Sequence, residues 1–251
     1  MAKLVILGSA AAVPDQYHNN TYMLLHGVQD HILIDCAGSP LQVLQRLGVD
    51  LGQLEHLVLT HRHPDHIYGV PALILGLWLC GRARPLRVYG EQQSLATVSA
   101  LLEIFRSEEW PLLFPLTYHE IAMETNQLVL DTDEFRITSS PARHLVPTLA
   151  LRIECKHSGR VWVYSSDTEP CENVVELARG ADVLIHEATG RQVGHSSSAQ
   201  AGEIAQRSGV KELILVHLPV MEVDLEDWRQ QALVTFSGPV RVAQDFDVYD
   251  L

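Results

Sequence analysis

One short segment of the chain concentrates side chains that can bind metal ions. Residues 60–66 read Thr-His-Arg-His-Pro-Asp-His, which places four potential ligands, His61, His63, Asp65 and His66, within six positions. Imidazole nitrogens and carboxylate oxygens are ligands that suit zinc in a hydrolytic site. One tetrahedral ion cannot easily use all four side chains, but two adjacent ions can. The segment therefore predicts a metal centre with two ions.

The elements around this segment would hold it at the end of a strand. The apolar run His56–Thr60 directly precedes it, and such a run predicts a strand. Pro64 restricts the residue before it to extended backbone geometry and is well placed near a helix start. We therefore expect His61 and His63 to point one way from the strand end, and the two ligands after Pro64 to point another way.

The rest of the chain alternates between strand-like and helix-like patterns, which predicts a layered α/β architecture in a single domain spanning residues 1–251. Runs rich in Val, Ile and Leu predict strands over Leu4–Gly8, His31–Asp35, His56–Thr60, Leu86–Tyr89, Phe135–Ser139, Val161–Ser165, Val183–His186 and Leu213–His217. Apolar residues at helical spacing predict helices over Leu41–Leu47, Ser94–Phe105 and Ser197–Ser208. The last of these opens with a capping-box sequence.

The charge balance argues against a broad surface for nucleic acid. The chain has 18 Lys and Arg residues against 31 Asp and Glu residues, a formal net charge of −13. Proteins that bind phosphate backbones over a large area concentrate basic residues there, although a small patch can serve a smaller contact. No stretch reaches the roughly 20 apolar residues that a membrane span needs, and the apolar run near the first residue is typical of a strand. We therefore expect a cytoplasmic protein without a membrane partner.

The motifs and their order resemble the metallo-β-lactamase superfamily, and within it the ribonuclease Z group. The matching segments are Thr60–Pro71, Ser140–Thr148, Tyr164–Thr168, His186–Thr189, His195–Ser197 and Leu215–His217. The resemblance implies a four-layer αββα sandwich, in which two packed β-sheets are flanked by helices. It also implies a zinc-dependent hydrolase that cleaves a phosphodiester or a related ester with a hydroxide activated by the metals.

The resemblance assigns seven residues to the two metal ions. It implies that one ion takes His61, His63 and His144, that the other takes Asp65, His66 and His217, and that Asp167 bridges them. Two ions about 3.5–4 Å apart can share a hydroxide and stabilise both the entering and the leaving oxygen. We expect two zinc ions per chain, and manganese or iron also suits mixed histidine and aspartate sites. Asp65 is the natural group to orient the hydroxide or to accept its proton.

Glu187 and His195 form a second pair with a possible catalytic role. The resemblance implies that this histidine lies near the leaving group, with the glutamate behind it. A histidine polarised by a carboxylate can donate a proton to a departing alkoxide. The alternative is that Glu187 makes a structural bond and His195 caps the helix that follows. His186 is left out of the site, because neighbouring side chains of a strand point to opposite faces.

The resemblance breaks where the substrate would be recognised. Transfer-RNA-processing members of the group usually carry a long arm, which in the long-armed form lies between the third metal histidine and the bridging aspartate. Here His144 and Asp167 are only 23 positions apart, and Leu218–Met221 departs from the group's pattern after the last histidine. The sequence alone therefore favours a small phosphodiester or similar ester as the substrate. A transfer-RNA 3′-end endonuclease is the alternative.

Three arginines near the motifs are candidates for holding a phosphate: Arg62, Arg143 and Arg191. The last two could equally be surface residues without a substrate role. A lactonase or sulfatase of the same superfamily also stays open, as does a metal-binding protein without hydrolysis. The combination of Asp65, Glu187 and His195 argues against the non-catalytic class, because a structural metal site needs closed coordination and no proton donor.

Two further segments allow alternative interpretations. Arg106–Thr117 is the least regular stretch, and it could be a lid over the site or a loop pinned to the core by its aromatic residues. Pro71–Cys80 is apolar all round, which is more than one buried helical face requires. We expect this segment to form a homodimer interface, and the alternative is a central core helix.

Overall fold

Two β-sheets form the middle of the molecule, and helices cover the outer face of each. The computed structural model describes residues 2–221 and 223–251. Within these ranges the strands are β1 (Lys3–Gly8), β2 (Tyr22–His26), β3 (His31–Ile34), β4 (Leu54–Val58), β5 (Leu86–Gly90), β6 (Leu116–Glu120), β7 (Gln127–Asp131), β8 (Phe135–Pro141), β9 (Leu149–Cys155), β10 (Val161–Tyr164), β11 (Val183–Glu187), β12 (Glu212–Val216), β13 (Val240–Val242) and β14 (Val248–Asp250). The α-helices are α1 (Pro40–Arg46), α2 (Pro64–Ile67), α3 (Val70–Leu79), α4 (Gln92–Ile104), α5 (Glu172–Ala178), α6 (Ser198–Ser208) and α7 (Leu225–Thr235).

Each sheet has seven strands in the part of the chain that the structure describes. The order is β14-β1-β2-β3-β4-β5-β6 in the first sheet and β13-β12-β11-β10-β9-β8-β7 in the second. The first half of the chain builds the first sheet and the second half builds the second sheet, except that β14 returns to pair with β1. This is the four-layer αββα sandwich that the resemblance implied.

Alternating side chains explain how each sheet is buried on both faces. In β1, Leu4 and Ile6 point into the core between the two sheets, whereas Val5 and Leu7 pack under the helices of the first outer layer. A third apolar cluster lies between the second sheet and its helices. With both faces covered, strands such as β12 are almost continuously apolar, as buried parallel strands usually are.

The strand directions bring several loops to one edge of the sandwich. Strands β3 and β4 are parallel, and β10, β11 and β12 are parallel to one another. Strand β8 runs in the same direction as β10, because β9 lies antiparallel between them. Ligand-binding residues in open α/β sheets commonly follow the carboxyl ends of parallel strands. The segments after β4, β8, β10, β11 and β12 are therefore placed to share a site.

Aromatic contacts hold the irregular stretch after α4 against the core. The Trp110 ring stacks on that of Trp78 with centroids 5.2 Å apart, and Nε1 of Trp78 donates a hydrogen bond to the Pro111 carbonyl at 2.8 Å. Phe114 is buried. These contacts support a pinned loop rather than a lid.

Helix α3 buries one face in the core, and its role as a homodimer interface stays a prediction. It buries Val70, Leu73, Ile74 and Leu77, yet it leaves Leu79 well exposed.

Among the described residues, no helix has both the length and the apolar character that crossing a membrane requires.

Candidate metal centre

Three histidines and one aspartate form the first half of a compact cluster. Nδ1 of His63 lies 3.1 Å from Nε2 of His61 and 3.0 Å from Nε2 of His144. Oδ2 of Asp167 lies 3.7 Å and 3.8 Å from the same two Nε2 atoms. One ligand atom from each of the four residues lies within 4.8 Å of every other. This spacing suits a single cation held between them.

A second group adjoins the first across Asp167. Nε2 of His217 lies 3.4 Å from Nε2 of His66 and 3.4 Å from Oδ2 of Asp65. Oδ1 of Asp167 lies 3.5 Å from each of the two Nε2 atoms. One Asp167 oxygen thus faces each group, which is the geometry of a bridging carboxylate.

The donor atoms themselves indicate that cations belong between them. Oδ1 of Asp167 is buried and has no hydrogen-bond partner within the described residues. Nδ1 of His63 faces two other imidazole nitrogens at hydrogen-bond distance, although neutral rings cannot supply a proton to every contact. Buried polar atoms without partners are costly, and metal coordination removes that cost. The cluster therefore fits a binuclear metal site.

Burial and neighbouring charges set the protonation of the ligands. Burial lowers the pKa of His61, His63 and His144, which favours the neutral ring that a metal requires. Burial also acts on His66, but the carboxylates around that ring outweigh it and raise its pKa well above the usual range. For Asp167, burial is outweighed by the surrounding histidines, which hold its pKa well below the usual range.

Asp35 contacts a candidate metal ligand and was not predicted from the sequence. Its Oδ2 lies 2.8 Å from Nδ1 of His66 and accepts the hydroxyl of Thr60, whereas its Oδ1 accepts the backbone N–H of Thr60. A carboxylate behind a metal-binding histidine fixes the ring and its tautomer. The signal available in the sequence was its place at the end of the predicted strand His31–Asp35, parallel to the strand that precedes the ligands.

Other ligands are oriented by backbone and hydroxyl groups. Nδ1 of His144 lies 2.6 Å from the carbonyl oxygen of Gly194, and Nδ1 of His217 lies 2.6 Å from Oγ1 of Thr189. Each contact leaves Nε2 of the ring for the cluster. The two contacts favour a proton on Nδ1, the tautomer that would leave Nε2 of each ring for a metal.

The structure brings Glu187 and His195 together as the sequence suggested. Nδ1 of His195 lies 3.0 Å from Oε1 of Glu187, which is fully buried. The same carboxylate accepts backbone N–H groups of Thr168, Thr189 and Ser196. Burial lowers the pKa of His195, but the hydrogen bond and charge of Glu187 outweigh it, so the net shift is upward.

The ring of His195 also stacks on a ligand of the second group. Its centroid lies 5.7 Å from that of His217, with an angle of 13° between the planes. His186 instead turns away into the core, where its Nδ1 lies 2.7 Å from the Glu187 carbonyl oxygen. His186 belongs to none of the ligand groups formed by the described residues.

The cluster opens into a cleft of about 250 Å³ whose lining includes His63, Asp65, Asp167, His195 and His217. Candidate metal ligands and His195 therefore form part of the wall of the cleft. The remaining wall comes from the segments that follow β1, β11 and β12, and the segment after β11 contributes Thr189 and Gln192. The Trp-pinned loop after α4 contributes no lining residue from the described chain.

The three arginines considered for phosphate binding lie away from this lining. Nε of Arg62 donates to Oε1 of Gln93 at 3.0 Å, and Nε of Arg143 pairs with Oε2 of Glu169 at 3.0 Å. Arg191 is exposed to solvent. None of the three is among the described residues that line the cleft. Their contact with substrate stays a prediction.

Known proteins resemble this chain over nearly its whole length. The model of the β-lactamase superfamily domain matches residues 30–218. Ribonuclease Z of Methanothermobacter thermautotrophicus is 30% identical in an alignment that covers 100% of this chain and 98% of the relative. Ribonuclease Z of Mycolicibacterium gilvum is 29% identical, over 98% of this chain and 94% of the relative.

A solved structure agrees with these matches. The metallo-β-lactamase fold protein YhfI from Bacillus subtilis has a TM-score of 0.81 and 25% identity, covering 99% of this chain and 98% of that chain. The family match and the sequence relatives confirm the resemblance that the motifs suggested. The chain therefore belongs to the β-lactamase superfamily, within its ribonuclease Z-like branch of metal-dependent hydrolases.

Proposed function

We propose that this chain is a binuclear metal-dependent phosphodiesterase whose substrate is the 3′ end of an RNA. One observation carries the proposal: side chains suited to two metal ions meet, at a single cleft, a histidine held by a buried glutamate. The names of the sequence relatives support RNA over the small ester that the sequence alone favoured.

The metal ligands in this proposal are the residues of the cluster. One zinc ion would be held by His61, His63 and His144, the other by Asp65, His66 and His217, and Asp167 would bridge them. Zinc is proposed because imidazole and carboxylate ligands suit it in hydrolytic sites, with manganese or iron as the alternatives. When bound, such a pair lowers the pKa of water toward neutral and stabilises the entering and leaving oxygens.

Asp65 and His195 move the protons in the proposed reaction. Asp65 lines the cleft with 14% of its side chain exposed, so it can orient the attacking water and accept its proton as the new P–O bond forms. His195 donates a proton to the leaving oxygen as the old P–O bond breaks. The Glu187 carboxylate accepts the Nδ1–H of His195 and stabilises the doubly protonated ring, whose second proton, on Nε2, goes to the leaving oxygen.

A small phosphodiester is the second candidate substrate, and two observations favour it. The alignment with the Methanothermobacter relative is 309 positions long, 58 more than the 251 residues of this chain, so the relative has segments that are absent here. Strands β9 and β10, with the turn between them, take up residues 149–164 of the interval between His144 and Asp167, where an RNA-gripping arm would have to lie.

The test compares the two substrates in one preparation. We would measure kcat/KM for a precursor transfer RNA and for bis(p-nitrophenyl) phosphate at one salt concentration, with metal content determined by elemental analysis. The proposal expects about two zinc ions per chain and RNA cleavage at the 3′ end with the higher efficiency. Greater efficiency on the small ester would favour the second candidate. Two bound ions without turnover of either substrate would reject phosphodiester hydrolysis.

We also infer that residues 1–251 act as one domain and that two copies pair through the α3 region. The shared core between the sheets supports one domain. Pairing is supported by an apolar groove of about 390 Å³ whose lining includes Pro71, Ala72, Leu101 and Phe105. Light scattering at micromolar concentration should give the mass of a dimer, and Phe105→Glu should give a monomer. A monomeric wild-type protein would contradict this inference.

A further inference from the structure

Two short segments form one apolar wall of the metal cleft. The segment after β1 and the segment after β12 run side by side, because Ala11 N–H donates to the Leu218 carbonyl and Leu218 N–H donates to the Ser9 carbonyl, both at 2.9 Å. Beyond these hydrogen bonds, both segments line the cleft with apolar residues. We call this surface the apolar shelf, and it consists of Ala11, Ala12, Val13, Pro219 and Met221.

The shelf leaves large apolar side chains open to solvent. Val13 is 66% exposed and Met221 is 65% exposed, although both line a cleft that also holds ionised groups. Exposed apolar surface at the mouth of a polar site is typical of a place where a ligand is bound. The other shelf residues are small, which leaves room for a flat group.

The acidic side chains of the cleft are not part of the apolar shelf. Among the described residues that line it, the acidic side chains are Asp65 and Asp167, and Lys and Arg are missing. A phosphate would therefore be attracted by the metal site and by the ring of His195, which lies beside it. A second phosphate lying on the shelf would find no cation there and would face the carboxylates.

The shelf begins next to the reacting groups. Pro219 follows the ligand His217 by two positions, and the ring of His195 stacks on that of His217. A group on the shelf is therefore adjacent to a phosphate at the metal site. A cavity of about 150 Å³ can hold a benzene ring, so the 250 Å³ of this cleft can hold one phosphate and one ring.

We propose that the apolar shelf binds a flat aromatic ring, such as a nucleobase, carried by the same phosphodiester that the metal site holds. This inference rests on the proposed phosphodiesterase function and adds a specificity-determining surface to it. The shelf selects a neutral ring beside the scissile phosphate and disfavours a second phosphate or a carboxylate at that place.

The test measures binding, so that it does not depend on turnover. Phenylphosphonate, methylphosphonate and phosphonoacetate share one phosphonate group and differ in the group attached to it. Calorimetric titration of the zinc-loaded protein should give about tenfold tighter binding of phenylphosphonate than of methylphosphonate, since a ring buries more apolar area. Phosphonoacetate, with its carboxylate, should bind no more tightly than methylphosphonate.

Variants of nearly equal size then assign the preference to the shelf. Met221→Gln and the double variant Val13→Thr with Met221→Gln should reduce the ratio of the two dissociation constants, the double variant to about one. Val248→Thr, an equal change at an exposed valine on β14, is the matched control and should keep the ratio. Zinc content and the unfolding midpoint report whether each variant is folded.

The outcomes separate this inference from the function on which it rests. Three results would each reject ring binding by the apolar shelf. They are a ratio of dissociation constants near one in the wild type, no detectable binding of phenylphosphonate, and an unchanged ratio in a folded shelf variant. The wild type could instead show the tenfold ratio, and the shelf variants lose it, while the protein cleaves neither RNA nor bis(p-nitrophenyl) phosphate. That result would support the apolar shelf as a ring-binding surface and reject phosphodiester hydrolysis.

Discussion

The carbonyl oxygen of Gly194 lies 2.6 Å from Nδ1 of His144, so the residue before His195 also orients a candidate metal ligand. Gly194 has a φ of 86°, and its N–H donates to Oε1 of Glu169 at 2.9 Å. Oε2 of the same glutamate holds Arg143. The loop that carries the proposed proton donor and the loop that carries the ligand therefore share one set of contacts.

Gly194→Ala should disturb both functions together. A Cβ at this position would lie 2.9 Å from Nδ1 of His144, and a positive φ is strained for alanine. We expect metal affinity and kcat/KM each to fall by about 10- to 100-fold, the usual effect of losing a group that orients a ligand. Gly190→Ala is the control in the same loop, because it also has a positive φ but nothing within 4 Å of its Cβ. Equal losses in both variants would mean that loop strain, not His144, is responsible.

Asp35→Asn should weaken metal binding although it replaces no candidate metal ligand. The substitution removes the negative charge behind Nδ1 of His66 and leaves the size of the side chain nearly unchanged. We expect zinc affinity, measured by competition with a chelator, to fall by about 10- to 100-fold. Asp133→Asn, on an exposed turn, should leave it unchanged. Unaltered affinity in Asp35→Asn would show that His66 is held well enough without the carboxylate.

His195→Ala should retain both metal ions and slow the reaction in a way that depends on the leaving group. A general acid contributes on the order of 10²- to 10⁴-fold for a poor leaving group such as an alkoxide. A nitrophenolate leaving group needs no protonation, so the rate for a nitrophenyl diester should fall much less. Rates for matched alkyl and nitrophenyl diesters, with metal content checked in parallel, give the comparison. Equal losses for both would leave His195 with only its structural role.

Glu134→Gln should lower stability in a pH-dependent way. Glu134, between β7 and β8, accepts the backbone N–H groups of Val28, Gln29 and Asp30 from the first sheet. Burial acts to raise the pKa of Glu134, but these hydrogen bonds outweigh it and lower the pKa. Because the folded pKa is depressed, the stabilisation is complete above the unfolded value of about 4.3 and is lost as pH falls through the folded value.

Urea unfolding at several pH values measures this effect. At pH 7 we expect Glu134→Gln to cost about 1–3 kcal/mol of unfolding free energy, as for other buried hydrogen-bonded groups. The difference from the wild type should shrink as pH falls below about 4.3. Glu120→Gln, at an exposed position, is the control. A difference that stays constant with pH would assign the loss to packing rather than to charge.

The candidate site was more predictable from the sequence than the full set of strands. Four ligands lie in one contiguous segment, so their types and spacing could be recognised locally. Asp35 was missed because its role depends on His66, 31 positions later, approaching through the parallel pairing of β3 and β4. Arg143 is next to His144 in sequence, but its Nε pairs with Oε2 of Glu169 and it is not among the described residues that line the cleft, so its contact with substrate stays a prediction.

Most of the predicted strands are apolar on both faces, although β2 is equally buried and was not predicted. All eight predicted strands occur, with ends shifted by up to two residues; β4, for example, spans Leu54–Val58 rather than His56–Thr60. Strand β6 was missed because its last four residues, Thr117–Glu120, are exposed and mostly polar. Helix α7 was missed because only Ala232 of its described side chains is fully buried, which leaves little periodic signal. In contrast, the capping box that opens α6 at Ser197 was recognised and is present.

Both sheets contribute residues to the metal cluster, so metal binding should add to the stability of the fold. His61, His63, Asp65 and His66 follow a strand of the first sheet, whereas His144, Asp167 and His217 follow strands of the second. Ions held here would tie the two halves of the chain together, and the unfolded chain would have no such site. Metal binding then adds to the free energy of unfolding, by about 2.7 kcal/mol per ion when free metal is at 100 times its dissociation constant. Chelation should therefore loosen the contact between the sheets and lower the melting temperature, even in a variant that has lost all catalytic activity.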